Sequence, residues 1–164
     1  MNNKIVSNQD KYYTYKELMG RLKKAKEMDA NFEILVITYA LIEDRTKSLC
    51  RYMNIKFPQN KIVDLYTKTQ KINENISNNQ VLNKMCDKDL FDRLHTWRRS
   101  RNDIIHSLAD CFENYDTYED MANEGIYIVK QLNKLCTNYK RKCKIENSLI
   151  EFKNKEDIEK VTLI

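Results

Sequence analysis

The chain has 164 residues, of which 32% are charged, and it contains only two Gly and one Pro. This length predicts a single domain with a hydrophobic core, and the shortage of turn-forming residues excludes a fold of many short β-strands. The net charge of +5 permits a polyanionic partner without requiring one. No apolar run approaches the roughly 18 residues of a membrane span, and Met1–Val6 lacks the apolar stretch of a signal peptide. We therefore expect a cytoplasmic protein with no membrane partner.

The first half of the sequence predicts three helices. Residues 1–13 are polar and are expected to lead into a first helix, from Tyr15 to about Asp29. Asn31 is expected to cap a second, longer helix with an amphipathic apolar stripe. That helix should end before Pro58, because Pro disfavours helical geometry at the preceding residue. A weaker third helix is expected over about residues 60–76.

The second half predicts two long helical regions. Ser77 and Gln80 fit a capping box at the start of a region over about 79–109, with a break near Asp87. A loop is expected from Asp110 to Thr117, and a last helix over about 118–142. Its apolar residues follow in steps of four and three: Met121, Gly125, Ile128, Leu132, Leu135 and Tyr139. A glycine in this stripe is expected to allow a neighbouring helix to approach closely.

These elements predict an all-α fold, with four to five helices joined by short loops as an antiparallel bundle. We expect the domain to cover residues 15–142, with terminal extensions over 1–14 and 143–164. The cysteines are five in number and form no Cys-x-x-Cys pair, which favours reduced thiols over a disulfide framework or a zinc site. Only two His occur and no Glu-x-x-His, so neither a metal nor a cofactor is predicted.

The segment from Leu90 to Leu108 is the one that indicates chemistry. Its apolar stripe on a helix is interrupted at one position: Leu90, Leu94, Trp97, Arg101, Ile105 and Leu108. A guanidinium on a core-facing stripe needs a partner or a water-filled cleft. A polar stripe runs beside it: His95, Arg99, Asn102 and His106. Asn102 and His106 are one turn apart and face the same way.

Each of these residues also has a purely structural interpretation. His106 alone fits a satisfied, partly buried histidine, and Asn102 fits a side-chain bond within the helical domain. Arg101 fits an ion pair to Glu43 or Asp44 of the second helix. Two basic clusters fit solvated helix faces: Arg93, Arg98, Arg99 and Arg101 in one, and Lys140, Arg141, Lys142 and Lys144 in the other.

The sequence Arg101-Asn-Asp-Ile-Ile-His106 resembles the Arg-x4-His motif of the HEPN superfamily, including the Asn that often follows the Arg. The context is similar as well. The motif lies near the end of the penultimate long helix, follows a Leu-x-x-Trp-Arg-Arg segment, and precedes a loop and a long amphipathic helix. The acidic and basic cluster Glu43-Asp44-Arg45 on the second helix is also similar to many members. The resemblance covers about residues 15–142.

The resemblance implies a metal-independent endoribonuclease, usually a homodimer in which the motif helices meet at a two-fold axis. RNA would be cut by its own 2′-hydroxyl, which leaves a 2′,3′-cyclic phosphate. His106 would transfer protons, Arg101 would stabilise the phosphorane, and Asn102 would orient His106 or the phosphate. Flanking phosphates would contact four cationic residues: Arg98, Arg99, Lys140 and Arg141. Three aromatic residues could stack bases or pack in the core: Trp97, Tyr127 and Tyr139.

The implied setting is phage defence or a toxin–antitoxin pair, with a cognate antitoxin or regulatory protein as a further partner. HEPN toxins silenced by nucleotidyltransferase antitoxins often carry Tyr two residues after the His. This sequence has Leu108 there, which argues against that mode of regulation. Two alternatives stay open: a non-catalytic HEPN-like interaction or RNA-binding module, and an unrelated helical interaction protein such as an antitoxin or adaptor.

Overall fold

The computed structural model describes residues 8–58, 62–76, 78–107 and 115–143, and within them the chain is all-α, as predicted. The described part contains six helices, where four or five were expected: α1 (Asn8–Glu27), α2 (Asn31–Tyr52), α3 (Leu65–Ile76), α4 (Gln80–Met85), α5 (Leu90–Ser107) and α6 (Tyr115–Lys142). The predicted break near Asp87 separates α4 from α5. Of the described helices, none combines the length and the apolar character that crossing a membrane requires.

Helix α1 begins at Asn8, so the prediction of a start at Tyr15 was wrong. Its buried residues, Leu22 and Ala25, lie in the last two turns. The first turns are mostly exposed, and Thr14 Oγ1 donates to the carbonyl of Asp10 at 2.8 Å within them. Apolar periodicity reports only the part of a helix that packs, so the exposed turns gave no sequence signal.

The turn between α1 and α2 also differs from the prediction. Asn31 is the first residue of α2 rather than its cap, and Ala30 before it makes no side-chain capping bond. Asp29, two residues after the end of α1, instead adopts a left-handed φ of 51°. The backbone then closes on itself, because Ala30 N donates to the carbonyl of Ala25 at 2.9 Å. At its other end α2 finishes at Tyr52, before Pro58 as predicted.

The starts of α3 and α4 are set by side-chain caps. Helix α3 begins at Leu65, later than predicted, where Asp64 Oδ1 accepts a hydrogen bond from Thr67 N at 2.8 Å. Asn79 Oδ1 likewise accepts from Leu82 N at 3.1 Å and caps α4. Ser77, which was expected to form a capping box with Gln80, lies outside the described residues.

The core lies between α2 and α6, which make the most extensive helix contact among the described elements. The predicted apolar stripe of α6 is confirmed: from Gly125 to Tyr139 its members are buried, and Met121 is half-buried. A Cβ on Gly125 would lie 2.8 Å from Thr38 Oγ1 and 3.0 Å from Trp97 Cζ2. Helices α2, α5 and α6 therefore meet closely at Gly125, and this junction fixes the position of the second half of α5.

Helix α6 begins at Tyr115, so residues 115–117 belong to the helix and not to the predicted loop. The rest of that loop, 110–114, lies outside the described residues, as do Leu108, Cys111 and the tail from 144 onward. The four described cysteines are free thiols: Cys50, Cys86, Cys136 and Cys143. Burial raises the pKa of Cys136 to about 12 and that of Cys50 to about 11.

Candidate functional site

The motif residues Arg101, Asn102 and His106 occupy the last two turns of α5. Earlier on α5, Trp97 is buried and its Nε1 donates to the carbonyl of Met121 at 2.9 Å. One turn before that, Arg93 Nε donates to Glu124 Oε1 at 2.7 Å. These bonds fix α5 against α6, and Arg101 follows one turn beyond the Gly125 junction.

Arg101 is half-buried and is held mainly by an aromatic ring. Its Cζ lies 4.4 Å from the ring centroid of Tyr39 on α2, which is a cation–π contact. Its Nη1 donates to Asn102 Oδ1 at 3.4 Å, a long hydrogen bond. Its Nε is buried and has no hydrogen-bond partner among the described residues. The guanidinium is therefore positioned, while part of its donor capacity stays unused.

The ion pair considered for Arg101 is not formed, and the two candidate carboxylates on α2 have other partners. Glu43 accepts from Lys68 Nζ at 2.9 Å and lies 3.2 Å from Lys47 Nζ. Asp44 pairs with its neighbour Arg45. Burial raises the pKa of Glu43, but hydrogen bonds from Lys68 and Lys47 outweigh it and leave that pKa below its usual value.

His106 is exposed, which contradicts its interpretation as a partly buried structural histidine. Asn102 is half-buried, one turn before it on the same face of α5. The bond that Asn102 accepts comes from Arg101 on its own helix. The last turns of α5 thus carry an exposed imidazole and, five residues before it, a guanidinium stacked on Tyr39.

Arg98 and Arg99 lie three and two residues before Arg101 on α5, and their surroundings differ. Arg99 is exposed, whereas Arg98 is half-buried with its Cζ 5.2 Å from the ring centroid of Tyr66 on α3. His95 contacts the same ring, with the two ring centroids 5.0 Å apart. Burial, together with Arg99 and Arg98, lowers the pKa of His95, which favours a neutral imidazole at neutral pH.

Lys140 and Arg141 lie in the last turn of α6 and are not brought to this region. Along α6 they are about 30 Å from Met121, the contact of Trp97, at ~1.5 Å per residue. Arg141 contributes to a separate surface cavity of about 430 Å³ that is also lined by Met85. A role for these two residues in RNA binding stays a prediction.

The aromatic residues named from the sequence are engaged in packing. Trp97 and Tyr139 are buried, and the Tyr139 hydroxyl accepts from Asn79 Nδ2 at 3.1 Å. Tyr127 donates to Asp87 Oδ2 at 3.1 Å. Sequence reasoning did not single out Tyr39 and Tyr66, which contact the arginines. The chain contains ten Tyr, and the sequence does not indicate which of them contact the arginines of α5. These contacts depend on how α2 and α3 pack against α5.

The described residues form an all-α protein, with a candidate site of cationic and aromatic side chains in the second half of α5. Comparison with protein-family models, with curated proteins and with solved structures finds no match to this chain. In the part of the chain that the structure describes, no three His, Cys, Asp or Glu residues are arranged to hold a metal ion.

Proposed function

We propose that the chain is a HEPN-type endoribonuclease: an antiparallel helical bundle that acts as a two-fold homodimer and cuts RNA without metal or cofactor. The observation that carries this proposal is the state of Arg101. The guanidinium is half-buried on Tyr39, has no carboxylate partner among the described residues, and precedes an exposed His106. A desolvated cation without an anion favours an anionic ligand, and the planar guanidinium matches a phosphate.

The reaction is an internal transfer within the RNA. The 2′-oxygen attacks the adjacent phosphorus and forms a 2′-O–P bond, while the bond from phosphorus to the 5′-oxygen of the next nucleotide breaks. The 2′-hydroxyl proton passes to a base, and the departing 5′-oxygen takes a proton from an acid. Imidazole suits both roles near neutral pH. The products are a 2′,3′-cyclic phosphate and a 5′-hydroxyl.

The residues divide these tasks. Arg101 stabilises the charge that develops on the phosphorane oxygens, and His106 transfers a proton. Asn102, one turn from His106, orients that imidazole or the scissile phosphate. Each chain has one histidine at this site, so the second proton-transfer group comes from His106 of a second copy. Dimerisation is then part of catalysis. A defence or toxin–antitoxin role, held in check by a cognate antitoxin or regulatory protein, suits such an enzyme.

The direct test is cleavage of end-labelled single-stranded RNA in EDTA by wild type, His106→Ala and Arg101→Lys. Wild type is expected to give fragments with 2′,3′-cyclic phosphate ends. His106→Ala should lose about a hundredfold or more in rate, the contribution of general acid–base catalysis. Arg101→Lys should lose at least about tenfold, because Lys keeps the charge but not the planar fork.

Arg21→Lys is the matched control, since Arg21 is an exposed arginine on α1 that pairs with Glu17. It should cut at the wild-type rate, and circular dichroism should show that every variant is folded. Strict dependence on a divalent metal, or equal cleavage of RNA with a 2′-deoxy at the cut site, would contradict the proposed reaction. RNA that is bound in a salt-sensitive manner but never cut would favour the alternative, a non-catalytic interaction or RNA-binding module.

A further inference from the structure

An exposed aromatic group lies beside the arginines of α5. Tyr66 on α3 is 38% exposed, and its ring is tilted by 36° against His95 at a centroid distance of 5.0 Å. The Cζ of Arg98 lies 5.2 Å from the same ring centroid. His95 and Arg98 are one turn apart on α5, so both contact Tyr66 from the same helix face. We call these three side chains the Tyr66 cluster.

The Tyr66 cluster differs from the contacts of two other tyrosines, Tyr15 and Tyr127. The hydroxyls of Tyr15 and Tyr127 are tied to Asn133 at 2.6 Å and to Asp87 at 3.1 Å. Within the described residues, the Tyr66 hydroxyl has no such bond. Arg98 Nε is buried and also lacks a hydrogen-bond partner there. The cluster is therefore an open ring surface with unused donor capacity, and not a closed packing contact.

From this arrangement we infer that the Tyr66 cluster is a stacking platform for an unpaired RNA base next to the cleaved linkage. The inference deepens the proposed nuclease function and rests on it. Exposed aromatic rings stack on nucleobases of any sequence, and arginines beside them contact the backbone. His95 precedes Asn102 by two turns, or about 10 Å along α5. The stacked base thus belongs to a nucleotide beside the cut and not to the one at which the cut is made.

A base-stacking platform requires a substrate with at least one unpaired base. Bases in a double helix are paired and stacked on each other, and their faces are not accessible to a protein ring. RNA with an unpaired nucleotide next to the cut should be preferred over continuous duplex. The preference among the four bases at that position should be small, because stacking reads a π-face and not a hydrogen-bonding edge.

The test measures RNA binding in the His106→Ala background, in which cleavage is expected to be at least about a hundredfold slower. Fluorescence anisotropy with a short, labelled single-stranded oligoadenylate compares three further changes. Tyr66→Leu removes the ring and is expected to weaken binding about tenfold, within the range for loss of one stacked base. Tyr66→Phe keeps the ring and should bind within about twofold of the parent. Tyr13→Leu removes a ring of similar exposure, 39%, from α1 and should have no effect.

A second readout identifies the stacking itself. The fluorescence of 2-aminopurine placed within the oligonucleotide should be quenched by the parent protein and by Tyr66→Phe, and less so by Tyr66→Leu. The slope of affinity against salt should not change in Tyr66→Leu, because no charge is removed. A reduced salt slope would instead mean that a phosphate contact had been lost.

The outcomes separate this inference from the proposed function. Equal affinity and equal quenching in Tyr66→Leu would overturn the platform while leaving the nuclease proposal intact. A loss that is just as large for a continuous RNA duplex would overturn it as well. Absence of binding by every variant, the parent included, would overturn both. Thermal melting of Tyr66→Leu tests its fold, and Tyr66→Phe provides the folded reference.

Discussion

Lys68 is a buried lysine, with only 5% of its surface exposed, and its ammonium group is paired with the carboxylate of Glu43. Its Nζ donates to Glu43 Oε1 at 2.9 Å. A buried ammonium without an anion is costly, so this pair ties α3 to α2. Glu43 is thus engaged with α3, and it forms no ion pair with Arg101. Glu43, which the sequence suggested as a partner of Arg101, neutralises Lys68 of α3 instead.

Replacement of Glu43 by Gln is expected to destabilise the protein by about 1–3 kcal/mol at pH 7, because a charge-assisted hydrogen bond to a buried cation is lost. The effect depends on pH. Since the folded-state pKa of Glu43 lies below its usual 4.5, the wild-type advantage is fully present above that value. It disappears as the pH falls through the folded-state pKa. Urea unfolding of both proteins between neutral and acidic pH measures the difference.

The matched control is Glu17→Gln, which breaks an exposed pair with Arg21 on α1. Exposed ion pairs of this spacing contribute only about 0.3–0.5 kcal/mol. A difference between Glu43→Gln and wild type that stays constant down to acidic pH would show that the carboxylate charge is not its cause. An equal effect of Glu17→Gln would show that the burial of Lys68 is irrelevant.

How far the site could be predicted is clearest at Arg101. Its position on the apolar stripe of α5 correctly indicated a half-buried guanidinium, because helical periodicity is a local property. Its partner was not predictable. Tyr39 lies on α2, far away in the sequence, and which side chain faces Arg101 depends on how two helices cross. The unformed ion pair to Glu43 shows the limit of pairing opposite charges by type alone.

Among the helices, existence and order were predictable and ends were less so. The regular steps of α6 fixed it to within three residues at its start. Helix α1 was placed seven residues too late, since its first turns pack little and leave no periodic signal. The residue that caps a helix was also hard to predict. Asn79 caps α4, whereas the sequence suggested Ser77. Cap geometry depends on the local turn, and several polar residues in a row can each serve.

The close approach of three helices at Gly125 gives an element-level test. Gly125→Ala would place a methyl group 2.8 Å from Thr38 Oγ1 and 3.0 Å from Trp97 Cζ2. Thr38 cannot easily move, because it is buried and its hydroxyl donates to the carbonyl of Ile34 at 2.7 Å. Overpacking of this kind costs about 1–3 kcal/mol, which should exceed the ~1 kcal/mol that Ala gains over Gly in a helix. Thermal and urea unfolding should therefore show a less stable protein.

The chain supplies its own control in Gly20, the other glycine, where an added methyl group would have nothing within 4 Å of it. Gly20→Ala on the exposed part of α1 should stabilise the protein by about 0.5–1 kcal/mol. Thr38→Ala combined with Gly125→Ala should be less destabilised than the two single changes added together, because the first removes the clashing hydroxyl. Strict additivity, or a stabilising Gly125→Ala, would contradict the close packing of α2 and α6.

Sequence periodicity within one chain does not predict which surface two copies would share. One exposed apolar surface of the described residues fits the proposed homodimer. Three apolar side chains at the start of α2 and before it are exposed: Met28 by 77%, Phe32 by 48% and Val36 by 44%. Phe32, Val36 and Tyr39 are spaced by four and three residues and so share one face of α2. That face leads to the ring under Arg101. In the proposed homodimer, a second copy of the chain would cover this face.

Phe32→Glu is accordingly expected to break the proposed homodimer. A charge buried in an interface without a partner costs about 3 kcal/mol or more, which raises the dissociation constant more than a hundredfold. Sedimentation or light scattering should show a dimer for wild type and a monomer for the variant, and RNA cleavage should fall with the dimer. Tyr12→Glu introduces the same charge at an exposed ring near the start of α1 and should leave both unchanged. A monomeric wild type that cuts RNA at full rate would show that one His106 is sufficient. Dimerisation would then not be part of the mechanism.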